Sequence, residues 1–513
     1  MQQIIGTVTT KMISQLDQIG RELNRRHKRY ERSQIGQFLT PAAIAQFMAC
    51  LFERDVQDVR ILDAGAGTGI LFAAVVDALI SRNRRPQSID VVAYENDEVV
   101  LPYLEEALCR CEAACRTSNV GFRGEIRRED FVKAGVALTQ QGLFSQQTEW
   151  FTHAILNPPY KKINGESETR KLLAMAGMDV SNLYAAFVWL AAKMLNTGGE
   201  IVAITPRSFC NGPYFRRFRV ALLDMITLRQ IHLFESRNKA FSHDDVLQEN
   251  VIVYAVRSGP EPKNVAISSS EKADFHKVSV RRVPYDHVVL PNDRDAFIHL
   301  VLNDDDEDLI EQMEQFRTSL AELGMDVSTG RVVDFRAREY LRLLPEEGTV
   351  PLVYPCHFKH GFVRWPVESD KKPNAIVSSE ETRDLMVTAG HYVLTKRFSA
   401  KEERRRVVAA IYDPHQVEAP LVGFENHLNY FHAAGKGLPS KLAKGLAIYL
   451  NSTLFDRYFR LFSGHTQVNA TDLRKMRYPT REQLVLLGSN VKSRIPDQEA
   501  VDAILEKVCK RNG

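Results

Sequence analysis

The sequence lacks several features that would place the protein in a membrane or outside the cell. No run of eighteen or more apolar residues occurs in its 513 residues, which excludes a membrane-spanning helix. The first residues do not show the charged and then apolar order of a signal peptide. Seven cysteines, an odd number in a large chain, favour reduced thiols, so we expect a cytoplasmic protein.

Charge and repetition are also limited. The net charge of +3 neither requires nor excludes a nucleic-acid partner, so local clusters of charge must decide. We find no internal repeat and no low-complexity tract. With 44% apolar and 26% charged residues, the composition is that of an ordinary globular protein, and the length predicts two or three domains.

The most informative feature is the tetrapeptide Asn157-Pro158-Pro159-Tyr160, which follows the apolar residues 154–156. The two prolines have no N–H and a fixed φ, so their carbonyls stay out of a local hydrogen-bond ladder. The asparagine adds one acceptor and one NH2 donor, and the tyrosine adds a π-face. This set suits a planar ligand with an exocyclic NH2 group, although the tetrapeptide by itself is more typical of a turn.

A second motif lies about ninety residues upstream. An apolar strand ends in Asp63-Ala64, then Gly65, Gly67 and Gly69 alternate into an apolar helix. Such a turn lets the backbone approach a ligand closely and points helix N–H groups at it. The spacing differs from the dinucleotide motif Gly-x-Gly-x-x-Gly. Alone, the turn fits any nucleotide or a tight strand–helix loop, and Asp63 could be a helix cap.

Acidic residues follow the next two strands. Glu95 ends a strand over residues 89–94, the position that holds ribose hydroxyls in nucleotide-binding folds, although it could also be a solvated acid. Asp130 precedes Phe131 after a third strand. Carboxyl ends of parallel strands meet at one edge of a sheet, so the glycines, both acids and Asn157 should lie together.

Alternating strands and helices predict an α/β fold with a mostly parallel, doubly wound sheet. A helix capped by Ser181, a strand over residues 201–204 and a late strand over residues 251–254 continue the pattern. The polar Pro/Gly stretch near residue 260 reads as a linker. We therefore expect domains at 1–260 and 327–513, with a connector at 261–326 that contains the acidic run of residues 304–308.

The sequence resembles the gamma-type N6-adenine DNA methyltransferases, which use S-adenosylmethionine. The further match is Gly36-Gln37-Phe38-Leu39-Thr40-Pro41, upstream of the glycine turn. Residues 327–336 and 451–455 are similar to modification methylases of Eco57I/PstI/BsuBI-like type II restriction systems. The resemblance covers nearly the whole chain and is more specific in its first half.

The resemblance implies a Rossmann-like catalytic domain followed by a target-recognition domain of mixed α/β structure. It implies that the enzyme methylates N6 of a flipped adenine in duplex DNA, protecting the DNA from a restriction endonuclease on a separate chain. A palindromic site methylated once per strand fits a monomer. The implied cofactor-binding residues are Phe38, Thr40, Pro41, Asp63, Ala64, Gly65, Gly67, Gly69, Glu95, Asp130, Phe131 and Asn157.

The implied chemistry assigns roles to the tetrapeptide. Asn157 and the Pro158 carbonyl would each accept one N6–H, turning the nitrogen lone pair towards the sulfonium methyl. Extruding the base costs a few kcal/mol. Stacking on Tyr160, with Phe209 as a candidate second ring, would offset part of that cost.

Basic and aromatic residues of the second half are candidates for DNA contact. They are Trp365, Lys396, Arg397, Arg404 and Arg405. Runs of this kind are more often solvated helix faces. A separate reading domain is expected because discrimination needs contacts to base edges in the grooves.

Other functions are compatible with parts of the sequence. Asn-Pro-Pro-Tyr also occurs in protein-glutamine and RNA-base methyltransferases, and a non-catalytic DNA-binding module could retain the same shell. Pro355-Cys356 suggests cytosine-5 chemistry, but it lies far from the glycine turn and reads as a structural thiol. The spacing of Cys109, Cys111 and Cys115 does not match a zinc site, so we expect no metal.

Overall fold

The structure is a computed structural model of the chain. It describes residues 10–26, 39–140, 150–234, 250–270, 275, 277–291, 293, 295–301, 303–368, 372–399, 403–462 and 467–509. The chain divides into two compact units, Met1–Asn303 and Asp304–Gly513. Within the described part of the chain, no helix has both the length and the apolar character needed to cross a membrane.

The first unit is built on one nine-stranded sheet. Its strands are β1 Asp58–Ala64, β2 Ser88–Tyr94, β3 Gly121–Arg127, β4 Phe151–Leu156, β5 Leu195–Pro206, β6 Ile226–Phe234, β7 Asn250–Arg257, β8 Asn264–Ser270 and β9 Val278–Pro284. Its helices are α1 Lys11–Arg26, α2 Ala42–Cys50, α3 Ile70–Ile80, α4 Leu101–Thr117, α5 Phe131–Gln140, α6 Glu168–Met175, α7 Leu183–Met194, α8 Arg216–Leu223 and α9 Tyr285–Val288.

The strand order is β3-β2-β1-β4-β5-β7-β6-β8-β9. The first five strands in this order, from β3 to β5, pair in parallel with one another. Strand β7 runs antiparallel between β5 and β6. The central strand β4 is buried at all six positions, as expected where helices cover both faces of a parallel sheet. This architecture confirms the predicted α/β class with a doubly wound sheet.

The chain winds outward from β1 to β3 and then returns to lay β4 on the other side of β1. Such a reversal leaves a crevice at the carboxyl ends of the two central strands. The Asp63 and Ala64 positions end β1, and Asn157 directly follows β4. The fold therefore brings the two main sequence motifs to the same crevice.

The region assigned to a connector is more structured than the sequence suggested. Strand β8 pairs in parallel with β6, and β9 pairs antiparallel with β8, so residues 264–284 extend the main sheet. In β8, Val265 and Ile267 alternate with partly exposed residues, a pattern too short to stand out beside the acidic run. That run lies in the helix Asp304–Glu314, at the start of the second unit.

The second unit has two mixed sheets. Their strands are β10 Asp326–Thr329, β11 Leu341–Arg342, β12 Thr349–Val353, β13 Phe358–Lys359, β14 Phe362–Val363, β15 Ala375–Val377, β16 Met386–Thr388, β17 Tyr392–Lys396, β18 Ala409–Tyr412, β19 Leu421–Phe424 and β20 Leu428–His432. The helices are α10 Asp304–Glu314, α11 Ser440–Leu450, α12 Thr453–Phe462, α13 Ala470–Lys475, α14 Arg481–Gly488 and α15 Gln498–Cys509.

One sheet has the order β10-β20-β17-β18-β14-β13 and the other β11-β15-β12-β19-β16. Side chains from both sheets form an aromatic core, with Tyr392, Tyr412 and Tyr430 from the first sheet and Phe424 from the second. Helices α11 and α14 approach closely, since a Cβ on Gly445 would lie 1.7 Å from the Leu484 carbonyl oxygen. This unit has the mixed α/β structure expected of residues 327–513.

Candidate active site

A cavity of about 250 Å³ opens at the carboxyl ends of the central strands. Its walls come from the glycine turn, the ends of β2 and β4, the start of α5 and helix α7. The lining residues are Leu39, Gly65, Gly67, Tyr94, Glu95, Asn96, Val100, Glu129, Asp130, Phe131, Val132, Asn157, Pro159, Lys161, Leu183 and Phe187. Both sequence motifs and both predicted acids therefore meet in one cavity.

The glycine turn serves packing at one position and the cavity at others. Gly67 has φ +55°, and a Cβ there would lie 3.2 Å from the Leu39 side chain at the cavity wall. Gly69 has φ +81°, and its Cβ would come within 2.6 Å of the Phe72 ring. Gly69 is therefore required by the packing of α3, whereas Gly65 and Gly67 present bare backbone to the cavity.

Glu95 is 3% exposed and joins the end of β2 to the glycine turn. Its Oε2 accepts a hydrogen bond from the Gly67 amide at 2.8 Å. Its Oε1 accepts from the amides of Asn96 and Asp97 at 2.8 and 2.9 Å. Three backbone donors thus hold this carboxylate in a fixed orientation at the cavity wall.

Asp63 is fully buried and lies beneath the turn, outside the set of described residues that line the cavity. Its Oδ2 accepts a hydrogen bond from the Phe72 amide at 3.2 Å, in the first turn of α3. Burial raises the pKa of this carboxyl to about 8; the Phe72 bond opposes the rise and the Glu95 charge adds to it. The geometry fits the helix-cap alternative for Asp63.

Asp130 caps the next helix, α5, and also lines the cavity. Its Oδ1 accepts from the amides of Val132 and Lys133 at 2.8 and 3.1 Å. Phe131, which is 3% exposed, packs against Tyr94 and Phe187 with ring centroids 5.0 Å away in both cases. An acid and three rings therefore share one end of the cavity.

The chemistry of this cavity fits a nucleoside-bearing cofactor. Glu95 is a fixed acceptor suited to ribose hydroxyls, and Asp130 is an acceptor suited to an exocyclic amine. Phe131 and Phe187 give apolar walls for a purine, and the two glycines leave room for the backbone to approach it. S-adenosylmethionine carries ribose hydroxyls, an exocyclic amine and a purine ring.

Asn157 stands at the other end of the cavity and is held on two sides. Its Nδ2 donates to the hydroxyl of Thr40 at 2.9 Å. The Tyr160 hydroxyl lies 3.3 Å from Asn157 Oδ1 and 3.4 Å from the carbonyl oxygen of Ile204, and it can donate to either. Burial raises the pKa of the Tyr160 phenol far above its usual range, so it remains a donor.

The aromatic rings near Tyr160 differ from those expected. Tyr184 lies edge-on at 6.2 Å, and Phe215 packs on Tyr184 at 5.5 Å. Phe209, the candidate second stacking ring, is 3% exposed, and its ring packs against Phe218 at 5.8 Å. It belongs to a short 3-10 turn, Arg207–Phe209, that directs the ring into the interior. This position argues against base stacking by Phe209.

Comparison with known proteins bears on the same region. Residues 107–241 match the family model described as Eco57I restriction-modification methylase. The chain is 46% identical over 476 residues to the type II methyltransferase M.PstI of Providencia stuartii, covering 93% of each chain. It is also 46% identical over 482 residues to M.BsuBI of Bacillus subtilis, covering 93% of this chain and 94% of that one.

The chain belongs to the type II methyltransferases of restriction-modification systems. Membership confirms the family suggested by the sequence and its dependence on S-adenosylmethionine. Among solved structures, a DrdV–DNA complex is 14% identical, with 93% of this chain and 59% of that chain covered at a TM-score of 0.48.

For this type II methyltransferase, sequence reasoning missed several residues of the cavity. Leu183 and Phe187 on α7 have the apolar spacing of a buried helix face, yet both line the cavity. Lys161 was passed over although it directly follows the tetrapeptide. A helix that contributes to a cavity wall has the same apolar spacing as a helix that only packs, so periodicity could not separate the two.

The upstream segment is only partly visible. Phe38 lies outside the described residues, whereas Leu39 lines the cavity and Thr40 contacts Asn157. Pro41 precedes α2, and its carbonyl accepts from the Ile44 and Ala45 amides, both at 3.0 Å. Ala64 is fully buried at the end of β1.

The candidate DNA-contact residues of the second unit fall into two groups. Lys396 ends β17 and Arg397 follows it, and both are partly exposed. The Arg397 guanidinium donates to the Asn426 carbonyl at 3.2 Å and lies over the ring of Phe398, which is 46% exposed. Arg404 is exposed. These three positions are accessible to a nucleic acid.

Arg405 and Trp365 are already engaged inside the second unit. The Arg405 guanidinium donates to Gln498 at 2.6 Å and to the Ser452 carbonyl at 3.2 Å, and burial lowers its pKa. The Trp365 indole N–H donates to the Asn374 carbonyl, and its ring packs on the aromatic core. Both side chains hold this unit together.

Proposed function

We propose that this methyltransferase transfers a methyl group from S-adenosylmethionine to N6 of an adenine flipped out of duplex DNA. The main support is the position of Asn157 and Pro159 in the wall of the cavity that fits the cofactor. The curated relatives, at 46% identity over nearly their full length, are named type II methyltransferases. That likeness and the partly exposed basic residues at the end of β17 support a DNA substrate.

The chain's own groups would act on the amine before the methyl moves. Asn157 Oδ1 and the Pro158 carbonyl oxygen each accept a hydrogen bond from one N6–H group and so turn the nitrogen lone pair towards the methyl. The cofactor supplies an electrophilic methyl group on a sulfonium. The N–C bond forms as the S–C bond breaks, its electron pair stays on sulfur, and the amine then loses a proton to water.

Tyr160 contributes to this step through both its ring and its hydroxyl. Its ring offers a stacking surface that would offset part of the cost of extruding the base. Its hydroxyl can turn from Asn157 to the Ile204 carbonyl, at 3.3 and 3.4 Å respectively, and so release the acceptor for the substrate amine.

The product decides between this function and its alternatives. The full-length protein would be incubated with unmethylated phage DNA and S-adenosylmethionine, and the nucleosides would be separated and identified by mass spectrometry. We expect N6-methyladenine. N4-methylcytosine or 5-methylcytosine would overturn the adenine assignment, and transfer to RNA or protein but not DNA would overturn the substrate class.

The biological context stays a proposal as well. We infer that methylation protects the DNA from a cognate restriction endonuclease on a separate chain. We also infer that the enzyme acts as a monomer in the cytoplasm and methylates a palindromic site once on each strand. DNA methylated in the same assay should resist cleavage by the endonuclease encoded beside the methyltransferase. Cleavage of fully methylated DNA would contradict the protective role.

A further inference from the structure

Thr40 contacts the proposed catalytic amide instead of the cofactor cavity. It is 7% exposed, and its Oγ1 accepts a hydrogen bond from Asn157 Nδ2 at 2.9 Å. Its neighbour Leu39 lines the cavity, whereas Thr40 is not among the described residues that do. We propose that Thr40 is a positioning residue for methyl transfer, holding the donor end of the Asn157 amide so that the acceptor end faces the target amine. This inference rests on the proposed function.

The orientation of the amide matters because its two ends have opposite hydrogen-bonding character. The Oδ1 end accepts hydrogen bonds, and the Nδ2 end donates them. A target amine must donate both of its N–H groups, so an amide turned by 180° would place two donors against each other. One hydroxyl that accepts from Nδ2 is therefore enough to favour the reactive orientation.

The hydrogen bonds that Asn157 makes with Thr40 and with Tyr160 differ in how easily they can be exchanged. The Tyr160 hydroxyl has a second acceptor, the Ile204 carbonyl, at a similar distance from it. The Asn157–Thr40 bond, at 2.9 Å, is shorter than either contact of the Tyr160 hydroxyl. Substrate can thus displace Tyr160 from the acceptor end while Thr40 keeps the donor end in place.

The backbone around Thr40 is itself fixed from two directions. The Ala42 amide, at the start of α2, donates to Asp17 Oδ1 on α1 at 2.9 Å. The Pro41 carbonyl accepts from the amides of Ile44 and Ala45, closing the first turn of α2. These bonds define where the Thr40 hydroxyl lies, as a positioning role requires.

The test compares Thr40→Val, which keeps the shape but removes the hydroxyl, with Thr40→Ser, which keeps the hydroxyl. Single-turnover methylation of unmethylated phage DNA would be measured at saturating S-adenosylmethionine, and cofactor affinity by calorimetry. We expect Thr40→Val to slow transfer roughly three- to tenfold, the range for one lost neutral hydrogen bond. The cofactor Kd should stay within about twofold of the parent, and Thr40→Ser should restore the rate.

Thr117→Val is the matched control, because the Thr117 hydroxyl donates to the Ala113 carbonyl at the far end of α4, at 2.9 Å. It should change neither the rate nor the Kd. Normal transfer by Thr40→Val, or equal loss in Thr40→Ser, would overturn the inference. So would a weaker Kd with an unchanged rate at saturation, which would indicate direct cofactor contact.

The failure of this inference can be told apart from failure of the proposed function. If the parent protein does not form N6-methyladenine in DNA, the proposed function fails. If it does and Asn157→Ala still methylates DNA, the catalytic role of Asn157 fails, and the inference about Thr40 fails with it. If Asn157→Ala is inactive and Thr40→Val is normal, only the assignment of Thr40 fails. Calorimetric binding of the cofactor by each variant shows that its cavity is folded.

Discussion

Glu95 Oε2 accepts a hydrogen bond from the Gly67 amide at 2.8 Å, so the acid after β2 fixes the glycine turn after β1. The same carboxylate is the proposed partner of the cofactor ribose. Glu95→Gln weakens both interactions, because a neutral amide replaces a charged acceptor. We expect the S-adenosylmethionine Kd, measured by calorimetry, to rise at least about tenfold, since bonds to charged groups contribute about 1.5–3 kcal/mol.

Glu98→Gln provides the control for that variant, because Glu98 is an exposed acid three residues further along. Its cofactor affinity should match that of the parent protein. An unchanged Kd in Glu95→Gln would move the ribose contact to another residue.

Asn157→Ala removes the proposed amide acceptor from the cavity wall and keeps Glu95, Asp130 and the glycine turn, which are the groups proposed to hold the cofactor. We expect the single-turnover rate of DNA methylation to fall by at least about a hundredfold, as when a preorganised acceptor or donor is lost at a reacting centre. The cofactor Kd should change little. Asn164→Ala, at an exposed position nearby, is the control and should keep the parent rate. Substantial turnover by Asn157→Ala would refute its catalytic role.

Two variants of Tyr160 separate its ring from its hydroxyl. Tyr160→Phe keeps the stacking face and removes the hydroxyl with its bonds to Asn157 and Ile204, so methylation should stay within about threefold of the parent. Tyr160→Ala also loses stacking, about 1–3 kcal/mol per base. Fluorescence of 2-aminopurine at the target position would report base extrusion. Equal extrusion by both variants would exclude a stacking role.

Arg397 and Arg405 should respond differently to alanine. Arg397 is partly exposed beside Phe398, so Arg397→Ala should weaken DNA binding and reduce the salt slope by about one. Arg405 bonds Gln498 and the Ser452 carbonyl, so Arg405→Ala should lower the melting temperature and leave the salt slope unchanged. Binding titrations at several salt concentrations test both. A reduced slope in Arg405→Ala would return that residue to the DNA surface.

His232 should make the stability of the first unit depend on pH. It is buried between Ser268 and Ser270, and burial lowers its pKa to about 3. Below about pH 6.5 this histidine is protonated in the unfolded chain but stays neutral in the folded protein. The free energy of unfolding therefore falls as the pH falls. Between pH 7.5 and 5.5 this loss is about 1.4 kcal/mol.

Denaturant unfolding at the two pH values measures that loss. In His232→Gln the difference in unfolding free energy should shrink by about 1.4 kcal/mol. His415→Gln, at an exposed position, should leave it unchanged. If both variants keep the parent difference, His232 is not the group that titrates.

The catalytic fold could be predicted because its local signals are strong. The fully buried β4, which ends in the apolar residues 154–156, and the glycine turn before α3 mark a strand–helix alternation that few other folds share. Strands β8 and β9 escape prediction because each is about half polar, and because local periodicity does not encode the parallel pairing of β8 with β6. The second unit combines two mixed sheets from short strands, a topology that local periodicity does not encode.

The candidate site was predicted at the level of motifs rather than contacts. Glu95, Asp130 and Asn157 do lie around one cavity, because strand ends are brought together by the sheet. The capping bond of Asp63, the inward ring of Phe209 and the engagement of Arg405 depend on side-chain packing between distant segments. No spacing in the sequence distinguishes those outcomes.

The hydrogen bond from the Ala42 amide to Asp17 ties the first helix to the chemistry at the centre of the sheet. A chain trimmed past α1 would retain every glycine and carboxylate of the cofactor cavity. It would lose the Asp17 carboxylate, which fixes the backbone beside Thr40, and so the position of the Thr40 hydroxyl that orients the Asn157 amide. Turnover, more than cofactor affinity, is the property that shortening this end would put at risk.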